Sequence, residues 1–372
     1  MATKYYYSQA SGDNDGSSEA NAYTDLQTAL DALSAGDHLY CKRHTSREGA
    51  ITTNLSFATH SNAAAGPNII EGYSTTPGDG GSGDGFYQTK SPFDMTAAGT
   101  ILKYWDIDKE NDSTTGLRIR GDASLAYRCI IQSSYAFGAC LEIQDAAAIE
   151  CYAISTVTQS GDTVFRCNRA TLIGCVAEIH PDAGAAGSAF SLSVAHRQNV
   201  LMNCIAINSD SDGAASHVGM FLDSDNASAS TIMNCTITNF AKGIEHVDGD
   251  DTVTTPNLYY GNILYSCGDG IINSQGTYTD TYGQYVFNNA FGSITSNQVS
   301  NMSNNQDPVT LTETPFVDTV NFELNNAPGG GALCRGTFGS PVLGLTGDNI
   351  RRSFLSHGGR VPTPNPEQSS VF

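Results

Sequence analysis

Five short stretches in the middle of the chain decide its fold: Arg128-Cys129-Ile130-Ile131-Gln132, Glu150-Cys151-Tyr152-Ala153-Ile154, Gly174-Cys175-Val176-Ala177-Glu178, Asn203-Cys204-Ile205-Ala206-Ile207 and Asn234-Cys235-Thr236-Ile237-Thr238. Each is a cysteine followed by a short run that favours a strand. Two later copies put asparagine where the cysteine stands, at Gly261-Asn262-Ile263-Leu264 and Asn288-Asn289-Ala290-Phe291. The marked positions recur every 22 to 31 residues. A period of that size carrying strands rather than helices is the signature of a β-solenoid, whose coils bury their apolar sides by stacking. Equivalent side chains of stacked coils lie about 4.8 Å apart and form ladders. Cys129, Cys151, Cys175, Cys204, Cys235, Asn262 and Asn289 are therefore expected to share one interior ladder. The cysteines would be reduced, packed thiols, and the asparagines would bond neighbouring amides or turn backbone.

A second strand precedes each marked one, as in Ala139-Cys140-Leu141, Thr163-Val164-Phe165 and Gly219-Met220-Phe221. Each coil thus reads as strand, short turn, strand and then a loop of variable length, which places the insertions on one face of the solenoid. Near the start, Thr24 as N-cap with Gln27 at the capping-box position opens a helix. Leu26, Ala29, Leu30 and Leu33 form its apolar stripe, and Gly36 can end it. The expected organisation is an N-terminal segment with a capping helix over 1–38, an all-β right-handed parallel β-helix over 39–345 and an extended C-terminal arm over 346–372.

The chain has 18 Lys and Arg against 38 Asp and Glu, a formal net charge of −20. Such a surface repels phosphate backbones and anionic membranes, so neither nucleic acid nor membrane is an expected partner. No run is long and apolar enough for a membrane span, and the start has no apolar signal-peptide core. The ten cysteines are not arranged as CxxC pairs, which argues against a zinc site.

The order Leu26-Gln27-Thr28-Ala29-Leu30-Asp31-Ala32-Leu33, then Ala35-Gly36-Asp37-His38-Leu39-Tyr40, then coils marked by Asn and Cys, resembles the pectin-lyase-like right-handed β-helix superfamily. The closing stretches Pro315-Phe316-Val317-Asp318, Asn321-Phe322-Glu323-Leu324 and Ser340-Pro341-Val342 resemble the last segments of such proteins. The resemblance spans roughly residues 20–345 and implies the fold, not one activity, because the fold hosts enzymes and structural spikes alike. Lyases of the superfamily use Ca²⁺-binding carboxylates and an arginine base. Its hydrolases use clustered aspartates, but the hydrolase motifs Asn-Thr-Asp, Gly-His-Gly and Arg-Ile-Lys are absent here.

The candidate catalytic carboxylates are Asp223 with Asp225, and Asp248 with Asp250 and Asp251, each just after an expected strand. They also read as solvated acidic turns. Asp210-Ser211-Asp212-Gly213 opens like a calcium loop but lacks the later bidentate Glu. Arg120-Gly121-Asp122 spells an integrin-type tripeptide that a chain of this length meets by chance. The histidines show no metal-ligand spacing, so no metal and no cofactor are expected.

In the final segment Arg351, Arg352 and Arg360 supply positive charge, Phe354, Leu355, Val371 and Phe372 supply apolar anchors, and alternate prolines stiffen the chain. These residues are expected to form an assembly arm. With no signal and no catalytic motif, the sequence reads first as a structural virion surface protein. That would be a phage capsid decoration (cement) protein or head spike, made in the host cytoplasm and assembling as a homotrimer. Its expected partners are the major capsid protein or another virion protein, and a host-surface glycan. The alternative is a polysaccharide lyase or hydrolase, such as a depolymerising tailspike.

Overall fold

The computed structural model describes residues 2–44, 55–58, 66–79, 87–90, 92–109, 115–133, 138–156, 162–180, 187–193, 198–209, 217–223, 230–247, 257–274, 285–287, 289–294, 305–306, 309–318 and 322–335. Nearly all of the secondary structure is strand, in three parallel sheets of 12, 10 and 9 strands, here called A, B and C. One coil shows the plan. Ala139–Gln144 lies in sheet C, Ala147–Ile149 in sheet A and Tyr152–Ser155 in sheet B, and Asp162–Asn168 then returns to sheet C one coil on. The chain is an all-β parallel β-solenoid.

Each coil has three strands, not the two read from the sequence. The strands that were missed are those of sheet A, such as Leu125–Tyr127, Thr171–Ile173 and Val200–Met202. From Leu125–Tyr127 to Leu258–Tyr260 each is three residues long with one inward side chain: Ala126, Ala148, Leu172, Leu201, Ile232 and Tyr259 form that buried row, which Leu102 of Thr100–Lys103 continues. A single inward residue offers no alternation to detect.

The turn from sheet A to sheet B is two residues long, and its first residue sits in the left-handed region. The φ values are 51° at Arg128, 52° at Glu150, 64° at Gly174, 56° at Asn203, 52° at Asn234 and 65° at Gly261. Glycine and asparagine tolerate that geometry best. The two charged exceptions compensate each other, because Arg128 Nε lies 2.6 Å from Glu150 Oε2 of the next coil. The second turn residue is the Cys or Asn of the repeat.

These seven side chains share one stack and one task. The sulfurs of Cys129, Cys151, Cys175, Cys204 and Cys235 point at the carbonyls of Leu102, Ala126, Ala148, Leu172 and Leu201 in the preceding coil, at 3.4–3.8 Å. Asn262 Nδ2 and Asn289 Nδ2 donate to the equivalent carbonyls of Ile232 and Tyr259, at 3.0 and 2.9 Å. The stack is also bonded forward. The Cys235 N–H donates to Asn262 Oδ1 and the Asn262 N–H to Asn289 Oδ1, both at 2.9 Å. Where cysteine follows, its sulfur takes that acceptor role: Cys129, Cys175 and Cys204 N–H groups bond the sulfurs of Cys151, Cys204 and Cys235. All seven side chains are buried. Burial pushes the Cys129, Cys175 and Cys235 thiols well above their ordinary range.

At the N-terminal end the strand Thr3–Tyr6 joins sheet A beside His38–Lys42. The helix α1, Leu26–Asp31, buries Leu26, Ala29 and Leu30 in the main core. Its N-cap is Asp25, not the expected Thr24: the Asp25 carboxylate accepts the Thr28 N–H at 2.7 Å, a charge-assisted bond that a hydroxyl cannot match. Thr24 instead donates its N–H and hydroxyl to Asn14 Oδ1. Gln27 does not close a capping box. Its amide donates to Ser56 O at 2.8 Å and accepts from Ser56 N at 2.9 Å. It thereby satisfies the edge of Leu55–Phe57, the end strand of sheet C.

At the other end, residues 312–318 and 322–335 fold onto the outer side of sheet B. Phe316, Phe322, Leu324 and Cys334 join the outward side chains Ile130, Tyr152, Val176, Ile205 and Ile263 in a second apolar cluster. Asn325 ties this segment together, donating to Thr314 O and Phe316 O and accepting from the Ala327 and Gly331 N–H groups. Gly331 is required there, because a Cβ would lie 2.4 Å from Asn325 O. Ser340-Pro341-Val342 and the expected arm, residues 346–372, lie outside the described residues.

Candidate functional site

The three outer faces of the solenoid differ in chemistry. On sheet B the outward row from Ile130 to Ile263 is apolar apart from Thr236 and is buried, and on sheet A the outward positions from Leu125–Tyr127 to Leu258–Tyr260 are apolar or threonine and half-buried. Sheet C is charged. Its central outward row stacks Asp94, Arg118, Glu142 and Arg166, followed by Ser191, Phe221 and Glu245. The inward neighbours Leu117, Ile119, Leu141, Ile143, Phe165 and Cys167 anchor these strands in the core, so the charged side chains project from a rigid floor.

The charges alternate in sign and touch. Arg118 forks between coils: Nε is 3.2 Å from Glu142 Oε2, Nη1 is 3.7 Å from Asp94 Oδ2, and Nη2 donates to the Thr115 hydroxyl at 3.4 Å. Arg120, at the end of the same strand, bonds Asp94 Oδ2 at 2.6 Å. Arg166 stands 4.0 Å from Glu142, with 40% of its side chain exposed. Three guanidinium groups thus face two carboxylates, a locally cationic strip on a chain of net charge −20. Solvent screening leaves each such pair about 1 kcal/mol or less of stability, so the ladder contributes little to holding the fold.

Connection lengths isolate this face. The A-to-B turns have two residues, whereas the long connections border sheet C on both sides. On one edge they run from Ile179 to Gly187 and from Asn208 to Val218, and on the other, in the later coils, from Asp223 to Thr231 and from Val247 to Leu258, whereas the C-to-A turns beside Glu142 and Arg166 are short, from Gln144 to Ala147 and from Asn168 to Thr171. The insertions therefore lie on two edges, not on the single face read from the sequence. The floor between two rows of loops is where a solenoid presents a binding surface.

Asp223 closes the strand Val218–Asp223 and pairs in register with Val247, the residue before Asp248. Asp225, Asp248, Asp250, Asp251 and the stretch Asp210-Ser211-Asp212-Gly213 lie outside the described residues. Among the described residues no three His, Cys, Asp or Glu side chains gather as a metal cluster. The tripeptide Arg120-Gly121-Asp122 is a tight corner in which Arg120 is engaged by Asp94. The nearby histidines are structural. His217 Nδ1 accepts the Gly187 N–H at 3.2 Å, and burial lowers His246 to about 4, which keeps it neutral.

Sequence reasoning passed over the arginine ladder, although a signal was present. Asp94, Arg118, Glu142 and Arg166 are each 24 residues apart, with the sign of charge alternating. That fixed charge period marks one outward position of equal-length coils.

Among solved structures the chain is similar to a pectate lyase, Pel9A, with a TM-score of 0.56 and 17% identity over 86% of this chain and 84% of that one. At that identity the likeness shows the fold alone, a parallel β-helix. A rhamnogalacturonan lyase is also matched, with a TM-score of 0.41 and 12% identity over 96% of this chain and 99% of that one. A third match is the PL6 family polysaccharide lyase Pedsa3628 from Pseudopedobacter saltans, with a TM-score of 0.39 and 10% identity over 76% and 91%. No protein-family model and no curated protein matches the chain.

Proposed function

We propose that the chain acts on acidic polysaccharide, with the outer face of sheet C as the binding floor and β-elimination of a polyuronate as the reaction. The observation that carries this reading is the arginine ladder. A protein of net charge −20 repels polyanions over most of its surface, yet it concentrates Arg118, Arg120 and Arg166 on one floor. Guanidinium forks bind carboxylates in pairs of parallel hydrogen bonds. Arg118 and Arg166 stand two coils apart, about 9.6 Å along the axis, so one extended glycan can engage both.

In the elimination, a base takes the C5 proton beside the uronate carboxylate. The C5–H electrons form the C4–C5 double bond, the C4–O glycosidic bond breaks, and the departing oxygen takes up a proton. Guanidinium groups on the carboxylate stabilise the charge that develops there. We assign the acid–base work to Asp223 and, from the sequence, to Asp225, Asp248 and Asp250. We also read α1 as the cap of the first coils.

A virion-surface role for a homotrimer anchored through Arg351, Arg352, Phe354, Leu355, Arg360, Val371 and Phe372 gains no support from the comparisons and ranks second. The test is turnover: incubate the full chain with polygalacturonate and follow unsaturated uronate ends. The expected result is product formation that falls at least tenfold in Arg118→Ala with Arg166→Ala. A purified, folded protein that neither binds nor cleaves any acidic polysaccharide overturns the reading.

A further inference from the structure

We infer that the outer face of sheet A is a docking surface for a second copy of this chain. This goes beyond the glycan reading and uses the opposite chemistry. From Leu125–Tyr127 to Leu258–Tyr260 the sheet presents two outward rows over six coils. One row is Tyr127, Ile149, Ile173, Met202, Met233 and Tyr260, all half-buried. The other, beginning at Leu125 and ending at Leu258, is aliphatic or threonine throughout. None of these twelve outward positions is charged, whereas the central outward row of sheet C carries five charges from Asp94 to Glu245.

The charged residues beside the strip cancel within the chain. Arg128 pairs with Glu150 at the A-to-B turn, Arg169 pairs with Asp145 at the C-to-A turn, and Lys103 pairs with Glu71 at 2.7 Å. The strip is therefore electrically neutral on a molecule of net charge −20. Two copies approaching through any strongly charged surface would repel each other, and this strip lets them meet without desolvating uncompensated charge.

The area fits the same occupant. With Ile69 and Ile101 continuing one outward row towards the N-terminal end, and the Lys103–Glu71 ion pair continuing the other, the strip spans eight strands. At about 4.8 Å per coil it is roughly 40 Å long and about 15 Å wide, which gives about 600 Å² per copy. Two copies would bury about 1,200 Å², the lower bound for a specific interface. The outer row of sheet B is also apolar, but its residues are 0–5% exposed and already covered. Among the described residues, sheet A is the broad apolar face that remains open.

The experiment is the solution mass of the full chain, by sedimentation or light scattering across about 1–100 μM. The expected result is a dimer or larger closed oligomer, held or strengthened by added salt, which screens the net repulsion. Met202→Glu with Met233→Glu should weaken association at least tenfold. Thr231→Glu, a milder change at a half-buried polar position, should weaken it in the same direction. Thr310→Glu, which adds the same charge at an exposed position of sheet B, should leave the mass unchanged. A wild-type mass of one chain throughout that range overturns the inference. So does an oligomer that survives Thr231→Glu and the folded double variant, or one that salt dissociates.

Discussion

Asn262 offers the sharpest test of the interior stack. Its amide donates to Ile232 O at 3.0 Å and to Asn289 Oδ1 at 2.9 Å, and accepts the Cys235 N–H at 2.9 Å, all in a fully buried position. Asn262→Leu keeps the volume and removes every one of these bonds. Two backbone groups, the Cys235 N–H and the Ile232 carbonyl, then lose a partner. Each such loss costs about 1–3 kcal/mol, and the buried apolar side chain returns about 1, so the expected destabilisation is about 1–5 kcal/mol. Asn262→Cys restores the arrangement of the cysteine coils, where sulfur donates to the carbonyl of the coil below and, at Cys151, Cys204 and Cys235, accepts the N–H of the preceding ladder cysteine. Sulfur bonds are weaker, so the expected cost is about 1 kcal/mol. Urea unfolding followed by circular dichroism measures both. Equal losses for the two variants, or a loss below about 0.5 kcal/mol for Asn262→Leu, would refute the equivalence of Cys and Asn at this position.

Three further outcomes follow from other parts of the molecule. His246 is held to about 4 when folded and titrates near 6.5 when unfolded, so its contribution is complete above pH 6.5 and fades as pH falls towards 4. Its full size is about 3 kcal/mol, and His246→Gln should flatten the stability–pH curve between those limits; an unchanged slope would count against it. Gln27→Ala uncovers the end strand of sheet C, so amide exchange at Ser56 should quicken at least tenfold while core amides keep their rates. The ladder thiols are buried, so they should react with alkylating reagents only at the global unfolding rate; fast labelling of Cys175 in the native protein, where burial also pushes up its thiol, would contradict this.

The repeat was legible because its marker is rigid: a Cys or Asn at a turn beside an apolar run must point inward to bond the coil below. Sheet A was not legible, because one inward residue per strand, such as Ala148 or Leu201, leaves no periodicity, and its outward residues are apolar as well. The helix was found from its apolar stripe, and its cap was misplaced by one residue because Thr24 and Asp25 are both good caps and only the fold selects between them. The charged floor was hidden for a different reason. Arg118 and Glu142 are distant in sequence and become neighbours only when the 24-residue coils stack, so reading each coil separately shows an isolated charge.

The central claim is that the sheet C ladder recognises acidic glycan. Isothermal titration of oligogalacturonate into wild type and into Arg118→Ala/Arg166→Ala, at one ionic strength, tests it most directly. The expected result is measurable binding to the wild type, at least a tenfold loss in the double variant, and no binding of a neutral oligosaccharide of the same length. Equal affinity in both proteins, or preference for the neutral glycan, would contradict it.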